Sequence, residues 1–255
     1  YMDFELAKRI IDEGAENNLC GVKFNIRGEP LLHPRIADFV KHAKQKGLID
    51  VYFNTNALLL DEVMAHKLIE AGLDRLSISF EGYTKEVYEK NRVGSSFEKV
   101  VANIEIMQNL KRKLGIDYPK LRIQTVMMPE IEKSFDEYKQ FWAGRVDEVA
   151  YLDFKEMSQK NKGIKYPWAC PQIWQRMAVL WDGTILPCNH DDESFLVLGK
   201  ASGMTISQAW HSARLNDIRQ KHQQGNAHSI EACDGCYLRD SEIEKLANHQ
   251  KKNHG

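Results

Sequence analysis

Asp74-Arg75-Leu76-Ser77-Ile78-Ser79-Phe80-Glu81-Gly82 alternates without a break. Leu76, Ile78 and Phe80 fall on one face of a strand and Arg75, Ser77, Ser79 and Glu81 on the other, because successive strand side chains point to opposite sides. Working outward, the pattern recurs: Lys23, Asn25 and Arg27 alternate with Phe24 and Ile26, and Tyr52, Asn54 and Asn56 share a face, as do Arg122 and Gln124. Asp3 is placed to cap a helix through Leu6, Ile10 and Ile11, followed by a strand over Gly21 to Ile26. Pro34 suits the first turn of a helix whose Ile36, Phe39, Val40 and Ala43 form one stripe before Gly47 stops it. Strands over 50–55, 74–80, 121–127 and 148–154 alternate with helices over 61–71, from Phe97 through Met107, and near 134–142. This repetition predicts a parallel sheet, open or curled. A parallel sheet covered on both faces reads as nearly continuously apolar. One wet face therefore implies a curled sheet with a ligand-filled interior, the alternative being a half-exposed antiparallel sheet.

The composition narrows the partners. Among 255 residues, Lys plus Arg number 35 and Asp plus Glu 36, so no broad basic surface exists to neutralise a phosphate backbone or an acidic membrane. No apolar run approaches the ~20 residues of a membrane span, and the first residues read as an amphipathic helix rather than a signal peptide. A cytoplasmic protein without nucleic-acid or membrane partners is expected. The chain starts on Tyr1 at a helix without the preceding strand that βα repetition leads one to expect.

The strand ends carry the first chemical signal. Arg27-Gly28-Glu29-Pro30-Leu31-Leu32-His33-Pro34 follows the first strand, Asn54-Thr55-Asn56 closes the second, and Ser79-Phe80-Glu81-Gly82 closes the third, with Arg92 beyond a short helix. Functional groups of βα barrels collect at these ends, and these donors and acceptors suit a zwitterionic amino acid carrying a ribose.

The cysteines carry the second. Cys170 and Cys188 are separated by seventeen residues, and Cys188 closes Trp181-Asp182-Gly183-Thr184-Ile185-Leu186-Pro187, which reads as a hairpin with an Asp-Gly turn. Cys233 and Cys236 form C-x-x-C. Four thiolates close a sulfur site for zinc or for a four-iron cluster, and spacing alone does not choose between them. Cys20 sits in an apolar context and is expected in the core. Gln159 to Lys165 reads as a linker, dividing the chain into 1–157 and 158–255.

With these motifs in order, the chain resembles the radical S-adenosylmethionine (SAM) superfamily, in the branch carrying a C-terminal SPASM or shorter Twitch domain. The resemblance rests on Met2-Asp3-Phe4, the Gly28-Glu29-Pro30 stretch, Thr55-Asn56, Ser77 to Gly82 with Asn91-Arg92, Asp182 to Cys188, Leu198-Gly199, Ile206 to Trp210, and Cys233-Asp234-Gly235-Cys236. It implies a partial (β/α)6 TIM-like barrel lacking its first strand, with a small cysteine-rich Twitch/SPASM-like domain ending in a helix. It implies that Gly28 and Glu29 meet the amino group of SAM, Ser79 and Arg92 its carboxylate, and Asn54 its ribose. It implies an auxiliary [4Fe-4S] cluster on Cys170, Cys188, Cys233 and Cys236, and an external electron donor such as flavodoxin or ferredoxin. The family's C-x-x-x-C-x-x-C motif, which holds the catalytic [4Fe-4S] cluster, does not occur in these 255 residues. The expectation is that the segment is missing and that this chain alone is inactive.

The reaction the resemblance implies is an oxidation. A 5′-deoxyadenosyl radical takes a substrate hydrogen, a base takes a proton, and the auxiliary cluster, closed to substrate by its four thiolates, takes the second electron. Asp153 and Lys155 at the last strand end and His190-Asp191-Asp192 after Cys188 are candidates for substrate contact, Lys155 and His190 for catalysis, with His190 the expected base. A small polar substrate such as a sugar or cyclitol alcohol is favoured over a peptide. A zinc-ribbon barrel protein and a non-catalytic SAM-binding relative are the alternatives.

Overall fold

The computed structural model describes residues 1–154 and 166–252, with side chains through 246. The expected linker and Lys155 therefore lie outside the described residues. The described chain forms two units, one of Ala7–Phe154, the other of the C-terminal residues together with Tyr1–Leu6.

In the larger unit helices and strands alternate: α1 (Phe4–Glu16), β1 (Gly21–Lys23), α2 (Ile36–Gln45), β2 (Asp50–Thr55), α3 (Glu62–Ala71), β3 (Arg75–Ser79), α4 (Lys85–Asn91), α5 (Phe97–Leu114), β4 (Lys120–Met127), α6 (Pro129–Glu132), α7 (Phe135–Trp142) and β5 (Glu148–Asp153). The five strands pair in parallel in chain order. No strand order reverses, so the sheet winds one way, as a barrel does and a doubly wound sheet does not. This is a TIM-like α/β fold.

Local chemistry sets the element ends. The Asp3 carboxylate accepts the Leu6 amide at 2.9 Å, and Asp61 the Met64 amide at 2.8 Å, each capping a helix. Gly72, at φ 83°, ends α3 in the left-handed conformation that only glycine adopts without strain. Two boundaries differ from expectation. Pro34 lies outside α2, whose N-cap is Arg35. β1 stops at Lys23 because the Asn25 side chain takes over the pairing: Phe24 N–H still reaches the Tyr52 carbonyl at 2.9 Å, but Asn54 N–H donates to Asn25 Oδ1 at 3.0 Å.

The alternation seen in the sequence sorts the sheet. Val51, Phe53, Leu76, Ile78, Leu121 and Ile123 are buried beneath the helices, where Phe80 packs edge-on against Trp142. On the other face the register places Asn54, Ser77, Arg122 and Glu148 in one row across four strands. At the opposite end of the strands two aspartates clamp the sheet. Asp74 accepts the Val51 amide at 2.8 Å and Lys44 Nζ, and Asp147 accepts the Leu121 amide and the buried Lys111 Nζ, both at 2.8 Å.

The smaller unit contains α8 (Gln172–Gln175), β6 (Ala178–Val179), β7 (Thr184–Leu186), β8 (Gly199–Lys200), α9 (Ile206–Trp210), α10 (Ala213–Gln223) and α11 (Tyr237–Lys252). Strands β6, β7 and β8 form an antiparallel sheet, and Gly183, at φ 82°, makes the expected Asp-Gly turn. Ile173, Leu196, Leu215, Ile218 and Ile230 form its core. Cys20 is exposed rather than buried. Its carbonyl accepts the Ile49 and Asp50 amides, fixing the backbone against the next βα link, and its side chain is left outside the core.

Candidate functional site

Two constellations carry chemistry, one in each unit. The first lies at the carboxyl ends of β1 to β3. Glu29 caps the 3₁₀ turn Pro30–Leu32, its Oε1 accepting the Leu31 amide at 3.0 Å and the Thr55 hydroxyl at 2.6 Å, while Oε2 accepts the Asn56 amide at 2.8 Å. The loop after β1 is thus tied through one carboxylate to the end of β2. Gly28 holds φ 77°, and a Cβ added there would meet nothing within 4 Å. The glycine serves its backbone conformation and leaves open space above it.

Ser79, half-buried, is the last residue of β3. Arg92 follows α4, and its Nε and Nη2 both donate to the buried Glu81, the second at 2.9 Å. Burial pulls the Arg92 pKa down, but the Glu81 bonds and charge, with a contribution from Glu29, raise it overall. The field of Glu29 thus reaches Arg92. These charges line the end of the sheet where the sequence motifs placed them. Asn54 contributes its main-chain N–H to Asn25 and stands in the polar row of the inner face. Asp153 does not belong to this set. Alternation along β5 puts it on the side of Val149 and Tyr151, which pack against the helices.

The second constellation is a cavity in the smaller unit lined by Cys170, Cys188, Cys233 and Cys236, with Ile173, Leu196 and Leu238 supplying apolar wall and His190, His222 and Arg239 polar groups. Burial, and behind it the charge of neighbouring thiols, raises Cys170, brings Cys188 to about 11 and raises Cys233. These thiols face one space, and a bound metal centre reverses the effect by stabilising the thiolates. The His190 amide donates to Cys188 Sγ at 3.3 Å. Among the described residues no three Cys, His, Asp or Glu side chains converge on one ion. A zinc ion bound at about 2.3 Å needs its thiolates nearly in contact, whereas a four-iron core holds them apart. The four thiols face one cavity and offer the four-cysteine ligand set that such a cluster takes.

The residues after Cys188 divide. Asp191 is buried and accepts the Phe195 amide at 2.9 Å and the Leu196 amide at 2.8 Å, so it shapes the loop rather than awaiting substrate. Asp192 is exposed. His190 lines the cavity, its Nδ1 bonded to the Tyr237 hydroxyl at 2.7 Å. Sequence reasoning missed His222, which is 1% exposed, and Arg239, also 1% exposed. Burial and then the charge of Arg239 depress the His222 imidazole to about 4, so it is neutral.

The sequence model of the radical SAM superfamily matches residues 1–141, over half of the chain, and that of SPASM, an iron–sulfur cluster-binding domain, matches residues 170–237. The chain belongs to the radical SAM superfamily. The SPASM match runs from Cys170 to the residue after Cys236 and contains all four cavity thiols. The cofactors of this radical SAM protein are accordingly SAM and [4Fe-4S] clusters.

Among curated proteins it is similar to a GTP 3′,8-cyclase of Aliarcobacter butzleri, 33% identical over 165 residues, covering 64% of this chain and 47% of that protein. A probable GTP 3′,8-cyclase of Methanococcus maripaludis is 37% identical over 97 residues, covering 38% and 32%. The chain spans less than half the length of these relatives. Among solved structures it resembles BtrN in complex with AdoMet and 2-DOIA, with TM-score 0.58, 18% identity and coverage of 92% and 80%. It also resembles anSMEcpe with bound AdoMet and Cp18Cys peptide, with TM-score 0.65, 16% identity and coverage of 87% and 76%. At these identities the structures share the fold. No helix among the described residues is long and apolar enough to cross a membrane.

Proposed function

We propose that this radical SAM protein takes part in the two-electron oxidation of a small polar substrate, such as a sugar or cyclitol alcohol, with an auxiliary [4Fe-4S] cluster on Cys170, Cys188, Cys233 and Cys236 as electron acceptor. The observation that supports this is the gathering of four thiols around one cavity. Four protein ligands on four irons leave no iron open to substrate, so the site suits electron transfer rather than substrate binding. When bound, SAM with its own cluster supplies a hydrogen-abstracting radical and the auxiliary cluster a one-electron acceptor.

The chain's own residues bind and orient. Glu29, held by Thr55 and Asn56, presents a fixed carboxylate to the ammonium of SAM, with Gly28 open beside it. Arg92, braced by Glu81, and Ser79 take its carboxylate, and Asn54 lies toward its ribose. His190, oriented by Tyr237, is the proposed proton acceptor, with Lys155 as the other candidate. An external donor of the flavodoxin or ferredoxin type supplies the reducing electron.

A second reading, ring closure on a nucleotide, is favoured by the 33% identity to the Aliarcobacter GTP 3′,8-cyclase over 64% of this chain. A preparation joining this chain to a C-x-x-x-C-x-x-C loop separates the two. Incubated with SAM and reductant, it is expected to yield one oxidised product per 5′-deoxyadenosine from a polyol or aminocyclitol and none from GTP. Turnover of GTP would overturn the oxidation reading, and turnover of a peptide alone would overturn the small polar substrate.

A further inference from the structure

The cavity holds one polar side chain that ties two proposed cluster ligands together. His222 sits at the end of α10, 52 residues from Cys170 and 11 from Cys233, and is 1% exposed. The Cys170 backbone N–H donates to its Nδ1 at 3.2 Å. A ring nitrogen that accepts carries no hydrogen, so the single hydrogen of the neutral ring is on Nε2. Nε2 faces Cys233 Sγ at 3.4 Å, within the distance of an N–H···S bond. The tautomer is thus fixed by a main-chain donor, and the opposite edge of the ring is aimed at sulfur.

The geometry points to His222 as a positioning residue of the auxiliary cluster, which holds the Cys170 segment in place and donates an N–H···S hydrogen bond that sets the reduction potential at Cys233. The inference rests on the proposed cluster ligation. Its physics is that of charge. A thiolate on a reduced cluster carries more negative charge than on an oxidised one, so a fixed donor stabilises the reduced form more and raises the potential. Trp174 lies edge-on to the ring, with centroids 6.4 Å apart, and Ile173, Leu196 and Leu238 line the same cavity beside Arg239, so the bond is shielded from water, which strengthens it. A raised potential suits a cluster that must accept an electron from a substrate radical.

The test uses this chain as it stands. Its only other cysteine is Cys20, so after anaerobic reconstitution with iron and sulfide the auxiliary cluster is observed without a second one. A wild-type chain that takes up no sulfide would remove the ligation reading itself, before His222 is considered. With the cluster present, redox titration followed by electron paramagnetic resonance compares wild type, His222→Leu and His222→Gln. Leucine removes the donor, and the equilibrium constant for reduction is expected to fall at least tenfold, 59 mV for a one-electron couple. Glutamine keeps an N–H at the reach of Nε2 and should restore the wild-type midpoint within about threefold in that constant, roughly half of the 59 mV step.

Equal midpoints in all three proteins would overturn the assignment. If His222→Leu holds no cluster, pulsed spectroscopy of wild type labelled with ¹⁵N-histidine decides. One exchange-coupled ring N–H on the reduced cluster, absent in His222→Gln, supports the bond, and its absence from wild type refutes it.

Discussion

Gly28 and Glu29 show how a single residue's two duties are told apart. Alanine at Gly28 would touch nothing in the protein, so its folding penalty is confined to the left-handed backbone, about 1–2 kcal/mol. Calorimetric titration of Gly28→Ala with SAM is expected to show a loss of affinity beyond about thirtyfold, larger than that strain explains, because in the proposed binding mode the methyl occupies the space beside the ammonium. A variant that binds SAM as wild type does would place the cofactor elsewhere. At Glu29 folding and binding are joined. Glu29→Gln turns an amide N–H toward the Asn56 amide that now donates to Oε2, and a donor facing a donor costs about 1–3 kcal/mol. Urea unfolding should record that loss, and SAM binding should weaken as well, since in the proposed binding mode the ammonium loses its countercharge.

Among elements, clamps tie helices to the amino ends of the strands. Lys111 is 4% exposed, and Asp147 satisfies both its ammonium and the Leu121 amide. Asp147→Ala strands a buried cation and a main-chain donor, and the expected destabilisation is about 3–5 kcal/mol, read by urea unfolding followed by circular dichroism. Less than about 1 kcal/mol would mean that α5 is not held to β4 by this pair. The alternation of Leu76, Ile78 and Phe80 with Ser77 and Ser79 made the strands and the wet face legible in the sequence, since period and burial are local. Boundaries and partners were less legible because they depend on individual side-chain hydrogen bonds, local or distant, which periodicity does not encode. β1 is cut short by an Asn25 side chain reaching β2, Arg92 finds Glu81, and Asp191 is spent on its own loop. His222 left one faint trace: with Leu215 and Ile218 it continues a single face of α10, a polar residue on an otherwise buried stripe.

At the scale of the molecule, the two units answer differently to metal. The larger is held by one apolar core, whereas the smaller surrounds a cavity walled by four thiols. Because a site of this kind couples binding to folding, chelating its iron is expected to speed amide exchange across α10 and residues 227–238 while leaving β1 to β5 protected. Uniform loss of protection would mean that the units do not fold independently of the site. The most direct test of the account is a count of iron, sulfide and zinc in the chain after anaerobic reconstitution. About four irons and four sulfides per chain, lost in Cys233→Ala and in Cys236→Ala, are predicted; one zinc without sulfide would contradict the electron-transfer role and the reaction built upon it.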